Sequence, residues 1–450
     1  MTPTDRQAAP PRRALAPPGL RLGDRLRQLR VAAGFTQTDL AGDRFSKEYV
    51  SQIERGKTRP TPETVEWLAR RVGVDPAFLA NGVSADQRGR VETALARAEA
   101  LNDSERLEEA VAAYEDVRAA VSATGLAELE VRALTGEAKA LALIGDVREA
   151  LQLLTRARVL SEASAFSDVE RAEVLFRMGV CRYKLSSVAT AIGLLNEALD
   201  LAERSGLPCD LLRSNVLHWR SRCYRRQRDY AAAREDVERA LELAEGVSDP
   251  RMIADIYFQA SLVAERDGHW VLARSYAERA KALYAELSDR ANVGRLLNNL
   301  GGLTFLLGKP DEAVRYLKDA FSTALEVGND ADAAQAVSSL AQVHLRSGDA
   351  QLACEQAQHA LELLAGRVDY LDEIGNAQLV LGRALLELDR LEEAERSFAD
   401  AESTFAQLSS ASHRAAAWVA QGDLAARRGD DSGAAGLYRK AAEALQDVRF

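Results

Sequence analysis

Residues 294–320 read GRLLNNLGGLTFLLGKPDEAVRYLKDA, two apolar helical patterns on either side of a turn. Gly301 lies in the first pattern, and Gly308 lies in the turn, where a helix needs a C-cap. Ala313 opens the second pattern, and Ala320 follows seven residues later. Small residues at such places allow two helix backbones to approach closely. The stretch therefore predicts a pair of helices joined by a tight turn.

This unit recurs along most of the chain. The small residue that opens its second helix returns at spacings of 40 to 42 residues, as Ala110, Ala150, Ala191, Ala233, Ala273, Ala313, Ala353, Ala394 and Ala434. Seven places later stands Val117 in the first unit and an alanine in each of the other eight. One helix pair cannot bury its apolar face alone, so each unit must pack against the next. Residues 91–450 are therefore predicted to form an α-solenoid of about nine helix pairs.

Length and composition agree with an all-α protein of several parts. A chain of 450 residues is too long for one hydrophobic core, and only 6% of its residues are aromatic, which disfavours an extended sheet. No apolar stretch is long enough to span a membrane, and the first residues hold Arg and Pro rather than the apolar core of a signal peptide. We therefore expect a cytoplasmic protein.

The N-terminal part differs from the rest in charge and in proline content. Five of the eleven prolines lie within the first eighteen residues, so residues 1–20 are predicted to be a disordered tail. Residues 1–82 carry a net charge of +5, which leaves −15 for residues 83–450. The basic part suits a polyanionic partner. Residues 83–90 are predicted to be a linker.

Residues 21–82 contain short helices marked by capping residues. Thr36 and Asp39 form an approximate capping box, and Ser46 begins the next helix. That helix ends at Gly56, and Thr61 followed by proline begins another. Leu40, Val50, Ile53, Trp67 and Leu68 are the core candidates of this small domain.

At these positions the segment resembles the lambda-repressor-like (XRE) helix-turn-helix family. The resemblance rests on the stretches 36–41 (TQTDLA) and 50–57 (VSQIERGK), on Leu29, Arg30 and Gly34, and on Arg59-Pro60, Leu68-Ala69 and residues 72–74 (VGV). It implies a five-helix DNA-binding domain. Between Ala41 and Ser46 there are four residues, one fewer than the family norm, so the tilt of the second helix is left open.

The resemblance places the helix from Ser46 to about Arg55 in the major groove of DNA. The implied DNA-binding residues are Gln37, Ser46, Lys47, Glu48, Tyr49, Gln52, Lys57 and Arg59. Lys47, Glu48 and Gln52 offer groups that can pair with guanine, cytosine and adenine. Gln37, Lys57 and Arg59 are expected to bind phosphates. So short a surface binds weakly alone, so a homodimer is implied.

Two of these assignments have structural alternatives. Tyr49 is equally suited to the edge of the core. Arg30 and Glu54 match a pair that forms a salt bridge in the family, so we expect a structural role for both.

The repeats resemble tetratricopeptide (TPR) units, which implies a right-handed solenoid. Gly179, Gly301, Gly382 and Gly422 occupy the eighth place of their units, where the family has a small residue. The period of about 40 exceeds the usual 34, so longer helices or longer loops are required. A basic head on such an array is similar to the RRNPP class of peptide-sensing regulators, which implies a peptide or protein effector in the groove of the solenoid.

The first helices of the middle units carry polar and aromatic residues at the places expected to face this groove. The predicted effector-binding residues are Arg177, Asn215, Trp219, Arg222, Arg225, Gln259, Asn298 and Asn299. Asn and Gln can bond a peptide backbone, and Arg can hold a carboxylate. For the basic run 218–228 an alternative stays open, in which its arginines pair with Glu235, Asp236 or Glu238 of the next helix.

Other classes of chemistry have little support in the sequence. The four cysteines form no CxxC pair, and no Cys/His cluster has metal-ligand spacing, so we expect buried thiols, no metal and no cofactor. No nucleophile stands with a base, so we expect no enzyme. The hypothesis is a DNA-binding transcription regulator whose solenoid senses an effector. The alternative is an adaptor that docks a protein partner constitutively.

The last predicted helix leaves an apolar surface. It carries Leu437, Tyr438, Leu445 and Val448, and no polar helix follows. We expect a partner chain to cover this surface, as solenoid ends usually need a polar cap.

Overall fold

The computed structural model describes residues 21–246, 249–367, 370–408 and 411–446. The predicted disordered tail, residues 1–20, lies outside the described residues, and so does Val448. Within them the chain forms 23 α-helices and no strand, which confirms the all-α prediction. The fold divides into two compact units, one ending at Cys209 and the other beginning at Asp210.

The first unit begins with the five short helices that the capping residues predict. They are α1 (Leu22–Ala32), α2 (Gln37–Ala41), α3 (Lys47–Glu54), α4 (Pro62–Val72) and α5 (Pro76–Asn81). Leu40, Val50, Ile53 and Leu68 are buried in one core, and Trp67 packs half-buried against it. The core assignments for this domain are therefore confirmed.

The predicted linker is wrong for most of its length. Helix α6 begins at Ala85, so residues 85–90 form its first turns. The side chain of Ser84 accepts a hydrogen bond from the backbone of Gln87 at 3.1 Å, which caps the helix. The N–H of Ala85 also donates to Asp75 at 3.4 Å. Only Val83 and Ser84 separate the five-helix domain from the repeats.

Nine helix pairs follow in the described residues. Three pairs complete the first unit: α6 (Ala85–Asp103), α7 (Leu107–Thr124), α8 (Ala127–Ile144), α9 (Val147–Ser161), α10 (Asp168–Lys184) and α11 (Val188–Arg204). Six pairs form the second unit: α12 (Asp210–Gln227), α13 (Tyr230–Glu245), α14 (Pro250–Arg266), α15 (Trp270–Glu286), α16 (Arg290–Leu306), α17 (Pro310–Glu326), α18 (Asp330–Arg346), α19 (Ala350–Leu363), α20 (Leu371–Glu387), α21 (Leu391–Gln407), α22 (Ala411–Arg427) and α23 (Asp431–Gln446).

Longer helices, rather than longer loops, explain the 40-residue period. Helices α16, α17 and α18 each have 17 residues, and three residues separate each of them from the next. Both turns contain a glycine with positive φ, Gly308 at 77° and Gly328 at 69°. Glycine adopts this conformation without a steric penalty, which permits the short turn.

The repeated small residues lie where the helices of a pair meet. All nine alanines that open the second helices are buried. A Cβ atom added to Gly301 would lie 2.5 Å from Cγ of Leu317, and one added to Gly382 would lie 2.4 Å from the Phe398 ring. Close packing therefore requires glycine at these two places.

In the second unit the first helices of the pairs form a layer, in which hydrogen bonds of Asn299 join α14 to α16. Helix α12 contacts α14. Helix α16 contacts α18, α18 contacts α20, and α20 contacts α22. Each second helix packs against its own first helix, and each except α23 also packs against the first helix of the next pair. The predicted effector residues from Asn215 to Asn299 belong to the layer of first helices.

All four cysteines are buried and form no disulfide. Burial raises the pKa of the Cys181 and Cys223 thiols to about 11, so both stay protonated at neutral pH. Among the described residues, no three or more His, Cys, Asp or Glu side chains converge as metal ligands would. None of the described helices is long and apolar enough to cross a membrane. On α23, Tyr438 and Leu445 are exposed.

Candidate DNA interface and effector surface

Helix α3 exposes one face and buries the other. The hydroxyl of Ser46 accepts a hydrogen bond from the N–H of Tyr49 at 3.1 Å, which fixes the start of the helix. Val50 and Ile53 are buried in the core. The remaining face presents a set of exposed polar side chains, Ser46, Lys47, Glu48 and Gln52. These are residue types that can contact base edges.

A buried ion pair anchors the other end of α3. Nε of Arg30 on α1 donates to Oε1 of Glu54 at 2.5 Å, and the side chain of Glu54 is 3% exposed. Nε2 of Gln37 donates to the second carboxylate oxygen at 2.8 Å. The expected salt bridge is therefore confirmed. Gln37, which we predicted to bind phosphate, directs its amide nitrogen toward this network.

A glycine that the sequence reasoning missed allows this anchoring. Gly23 on α1 lies so close to the end of α3 that an added Cβ would be 2.3 Å from the carbonyl oxygen of Ile53. A side chain there would push α1 away from α3. The residues that surround Gly23 in the sequence carry no signal of this contact, because it joins two distant segments.

Two predicted base contacts also have internal partners. Tyr49 is half-buried, and its ring lies 5.2 Å from that of Phe45, at the edge of the core. Oε1 of Gln52 accepts a hydrogen bond from the Thr58 hydroxyl at 3.0 Å. The bidentate pairing of Gln52 with adenine stays possible, because the amide oxygen can accept a second hydrogen bond and, within the described residues, the amide nitrogen is free to donate.

The basic residues predicted to bind DNA remain exposed. In the described part of the chain, Lys47, Lys57 and Arg59 form no ion pair. Arg44, in the turn before α3, and Arg55, its C-cap, are exposed as well. These two arginines were not among the residues predicted to bind DNA, although their places beside the helix are a signal for phosphate contacts.

In the second unit, the basic run 218–228 has both internal pairs and exposed positions. Arg220 forms a bidentate ion pair with Asp236 of α13, with N–O distances of 2.6 and 2.8 Å. The guanidinium of Arg222 lies 4.4 Å from the centre of the Trp219 ring. For Arg220, then, the alternative of pairing with the next helix is confirmed. Arg222 and Trp219 form a stacked pair on the layer of first helices.

His218 supplies no positive charge to this cluster. Burial, followed by the nearby charges of Arg222 and Arg225, lowers the pKa of His218 to about 3. The imidazole is therefore neutral at physiological pH. The charge of the cluster comes from its arginines. On the same helix, Nδ2 of Asn215 donates to the carbonyl of Leu211 at 3.0 Å.

Amide side chains on α14 and α16 continue the layer. Nε2 of Gln259 and Oδ1 of Asn298 are buried and have no hydrogen-bond partner within the described residues. Asn299 is engaged: it accepts from the Ser261 hydroxyl at 2.9 Å and donates to Glu265 at 3.0 Å. Asn299 therefore joins α16 to α14, a role that the sequence analysis did not assign to it.

Arg177 belongs to the first unit, on α10, whereas the other predicted effector residues belong to the second unit. It forms an ion pair with Glu173 on its own helix. The pair spans one helical turn and is partly exposed, so it adds little stability.

Family models match both parts of the chain. A helix-turn-helix domain model matches residues 21–81. Tetratricopeptide repeat models match residues 170–246, 252–326, 292–366 and 379–447, which together cover more than half of the chain. The chain therefore belongs to the tetratricopeptide repeat proteins and carries an N-terminal helix-turn-helix domain.

A curated relative resembles the N-terminal domain. The HTH-type transcriptional regulator DdrOP3 of Deinococcus deserti is 40% identical over 65 residues. This match covers 14% of the present chain and 50% of the relative. The chain thus spans about half the length of this relative.

Solved structures resemble the repeats. The apo form of the quorum sensor NprR from B. thuringiensis aligns with a TM-score of 0.62 at 12% identity, covering 80% of this chain and 99% of that one. A Rap protein complexed with competence and sporulation factor aligns with a TM-score of 0.56 at 16% identity, over 80% and 99%. At sequence identities of 12% and 16%, these similarities establish the fold of the repeats and no more.

Proposed function

We propose that this protein is a cytoplasmic transcription regulator that binds operator DNA through α3 and whose repeats bind a short peptide that alters DNA affinity. The observation that carries the proposal is the combination of an exposed, anchored α3 with a layer of first helices in which buried amide atoms lack partners. The proposal assigns binding roles and no catalytic step.

The DNA-binding part rests on the geometry of α3. Core residues and the Glu54 ion pair fix one face of the helix. The helix therefore needs no further ordering when its polar face binds DNA. A preorganised helix loses little entropy when it binds. Lys57, Arg59, Arg44 and Arg55 supply charge for the phosphates.

The effector-binding part rests on Gln259 and Asn298. Buried polar atoms are almost always hydrogen-bonded, and Gln259 and Asn298, on neighbouring first helices, each have one that lacks a partner in the described chain. A peptide backbone offers both donors and acceptors, which match the free donor of Gln259 and the free acceptor of Asn298. Trp219 and Arg222 on the neighbouring α12 would hold an apolar or acidic side chain of the peptide.

DNA binding is tested by selecting a random duplex library on the full-length protein. We expect one enriched motif, with weaker binding as salt rises. A library that emerges without any sequence preference would contradict the DNA-reading role.

Effector binding is tested by adding random short-peptide pools to the selected duplex and measuring fluorescence anisotropy. We expect a pool that changes DNA affinity by about fivefold or more, the lower end of usual allosteric coupling. The double variant Gln259→Ala, Asn298→Ala should lose this response and keep effector-free DNA binding. The variant Gln335→Ala, at an exposed place on α18, is the matched control and should respond normally.

We also propose that the protein binds DNA as a homodimer. One α3 exposes few side chains, and two half-sites one helical turn apart would double the contact. The selected motif should then be an inverted repeat. A single half-site, together with a monomeric mass in light scattering, would contradict the dimer.

A further inference from the structure

A cavity of about 510 Å³ lies in the second unit among the first helices of the last three repeats. Its lining combines arginines with two carboxylates and apolar residues: Arg346, Arg383, Arg427, Glu387, Asp423 and Leu386. The volume is in the range of small-ligand sites. The predicted effector-binding residues lie in earlier repeats, so this cavity is a separate feature of the layer.

Two of the three arginines of the cavity depart from the pattern of the other repeats, whereas Arg427 pairs with Asp389 at 3.7 Å. Elsewhere in the second unit, arginines reach carboxylates one repeat away, as Arg251 reaches Asp289 at 3.1 Å and Arg274 reaches Glu312 at 2.8 Å. In the described part of the chain, neither Arg346 nor Arg383 forms an ion pair or hydrogen bond. In a repeat region of strongly negative net charge, Arg346 is exposed at the end of α18 and Arg383 is half-buried on α20, so the two present unpaired positive charge to one cavity.

The surroundings of Arg383 favour an external anion. Its guanidinium is half-buried, and burial lowers its pKa. The negative charge of Asp423 opposes this shift, and the positive charge of Arg346 makes a smaller contribution that lowers the pKa further. Asp423 already accepts a hydrogen bond from the Tyr438 hydroxyl at 2.8 Å. A bound anion would relieve the repulsion between the two arginines and satisfy the guanidinium donors.

We propose that this cavity is a binding site for an oxyanion, a carboxylate or a phosphate, held between Arg346 and Arg383. Leu345 and Leu386 provide an apolar wall for the part of the ligand beside the charged group. Glu387 lies on the lining as well and disfavours ligands of high negative charge. The inference does not depend on the effector proposal, because none of its residues belongs to the predicted effector set.

Thermal shift of the full-length protein tests the site with three probes: inorganic phosphate, a tripeptide pool with free C-terminal carboxylates, and the same pool with C-terminal amides. A ligand that binds the folded state raises the melting temperature. A response to phosphate alone indicates a phosphate-bearing ligand. A response to the free carboxylates but not to the amides indicates a carboxylic acid or a peptide C-terminus.

Arg383→Gln and Arg346→Gln should each lower the affinity for the probe that responds by about tenfold or more. This is the loss expected for one charge-assisted hydrogen bond. Arg315→Gln, at an exposed position on α17 outside the cavity, is the matched control and should respond as the wild type does. Arg383→Gln should also raise the melting temperature without any probe, because it removes a half-buried charge. The proposal would be overturned if none of the three probes raised the melting temperature of the wild type, or if the cavity variants responded as the wild type does.

Discussion

Glu54, at the end of α3, holds the guanidinium of Arg30 on α1 at 2.5 Å in a nearly buried ion pair. The same carboxylate accepts a hydrogen bond from Gln37 at the start of α2. One side chain therefore fixes three helices of the DNA-binding domain relative to each other.

Glu54→Ala should destabilise this domain by roughly 3 kcal/mol, because removal of one partner leaves the charge of Arg30 buried and uncompensated. Hydrogen exchange on the full-length protein should show faster exchange in α1 and α3, with the repeats unchanged. Glu48→Ala, on the exposed face of the same helix, is the control and should leave exchange unaltered. Equal exchange in the two variants would show that the ion pair does not anchor α3.

Lys47→Ala should weaken binding to the selected duplex by about 1–3 kcal/mol and relax the preference at one base position. The reason is that Lys47 is exposed at the first turn of α3, the part of such a helix that reaches base edges. Anisotropy titrations on the selected duplex and on single-base variants measure both effects. An equal loss on every duplex would assign Lys47 to the phosphates instead.

Lys57→Ala should weaken binding to all duplexes alike and reduce the slope of log affinity against log salt by about 1. Lys57 lies after the end of α3, and its exposed ammonium is suited to a phosphate. Titrations across a range of salt concentrations give the slope. An unchanged slope would place Lys57 outside the interface.

Gly301→Ala should destabilise the second unit by about 1–3 kcal/mol, the usual cost of overpacking. The new methyl group would lie 2.5 Å from Cγ of Leu317, inside a close contact between α16 and α17. Gly302→Ala is a neighbouring control, since its methyl group would meet no atom within 4 Å. The control should stabilise α16 slightly, because alanine favours helix over glycine by up to about 1 kcal/mol. Chemical denaturation followed by circular dichroism compares the two, and equal stabilities would contradict the packing described above.

His218 should make the second unit less stable as the pH falls. Its pKa is about 3 in the folded protein and 6.5 when exposed, so below pH 6.5 the unfolded chain binds a proton that the folded chain does not. Stability is then lost at up to about 1.4 kcal/mol per pH unit.

Denaturation experiments between pH 7 and pH 5 measure this effect. This pH range includes the pKa of an exposed histidine and lies above the pKa of most carboxylates. His218→Leu should remove the extra slope, whereas His269→Leu, at an exposed position, should keep it. A wild-type slope in His218→Leu would show that another group carries the pH dependence.

The sequence by itself determined the architecture, because the signals involved are local or periodic. Caps such as Ser46 and Thr36 act within three residues, and the alanines from Ala110 to Ala434 recur at a nearly constant spacing. Both kinds of signal persist whatever the tertiary contacts are. They predicted the short helices of the N-terminal domain, the nine helix pairs and the buried small residues, and the resemblance to the lambda-repressor-like family added the helix-turn-helix assignment.

Tertiary structure alone decided which polar side chains are engaged and which lack partners. Gln37 and Asn299 are residue types suited to ligands, yet each bonds to a carboxylate that lies 17 or 34 residues away in the sequence. Arg346 and Arg383 carried no local signal at all, and they share a cavity only because helices from successive repeats lie side by side. The availability of a polar group depends on distant neighbours, so the identity of a residue does not determine it.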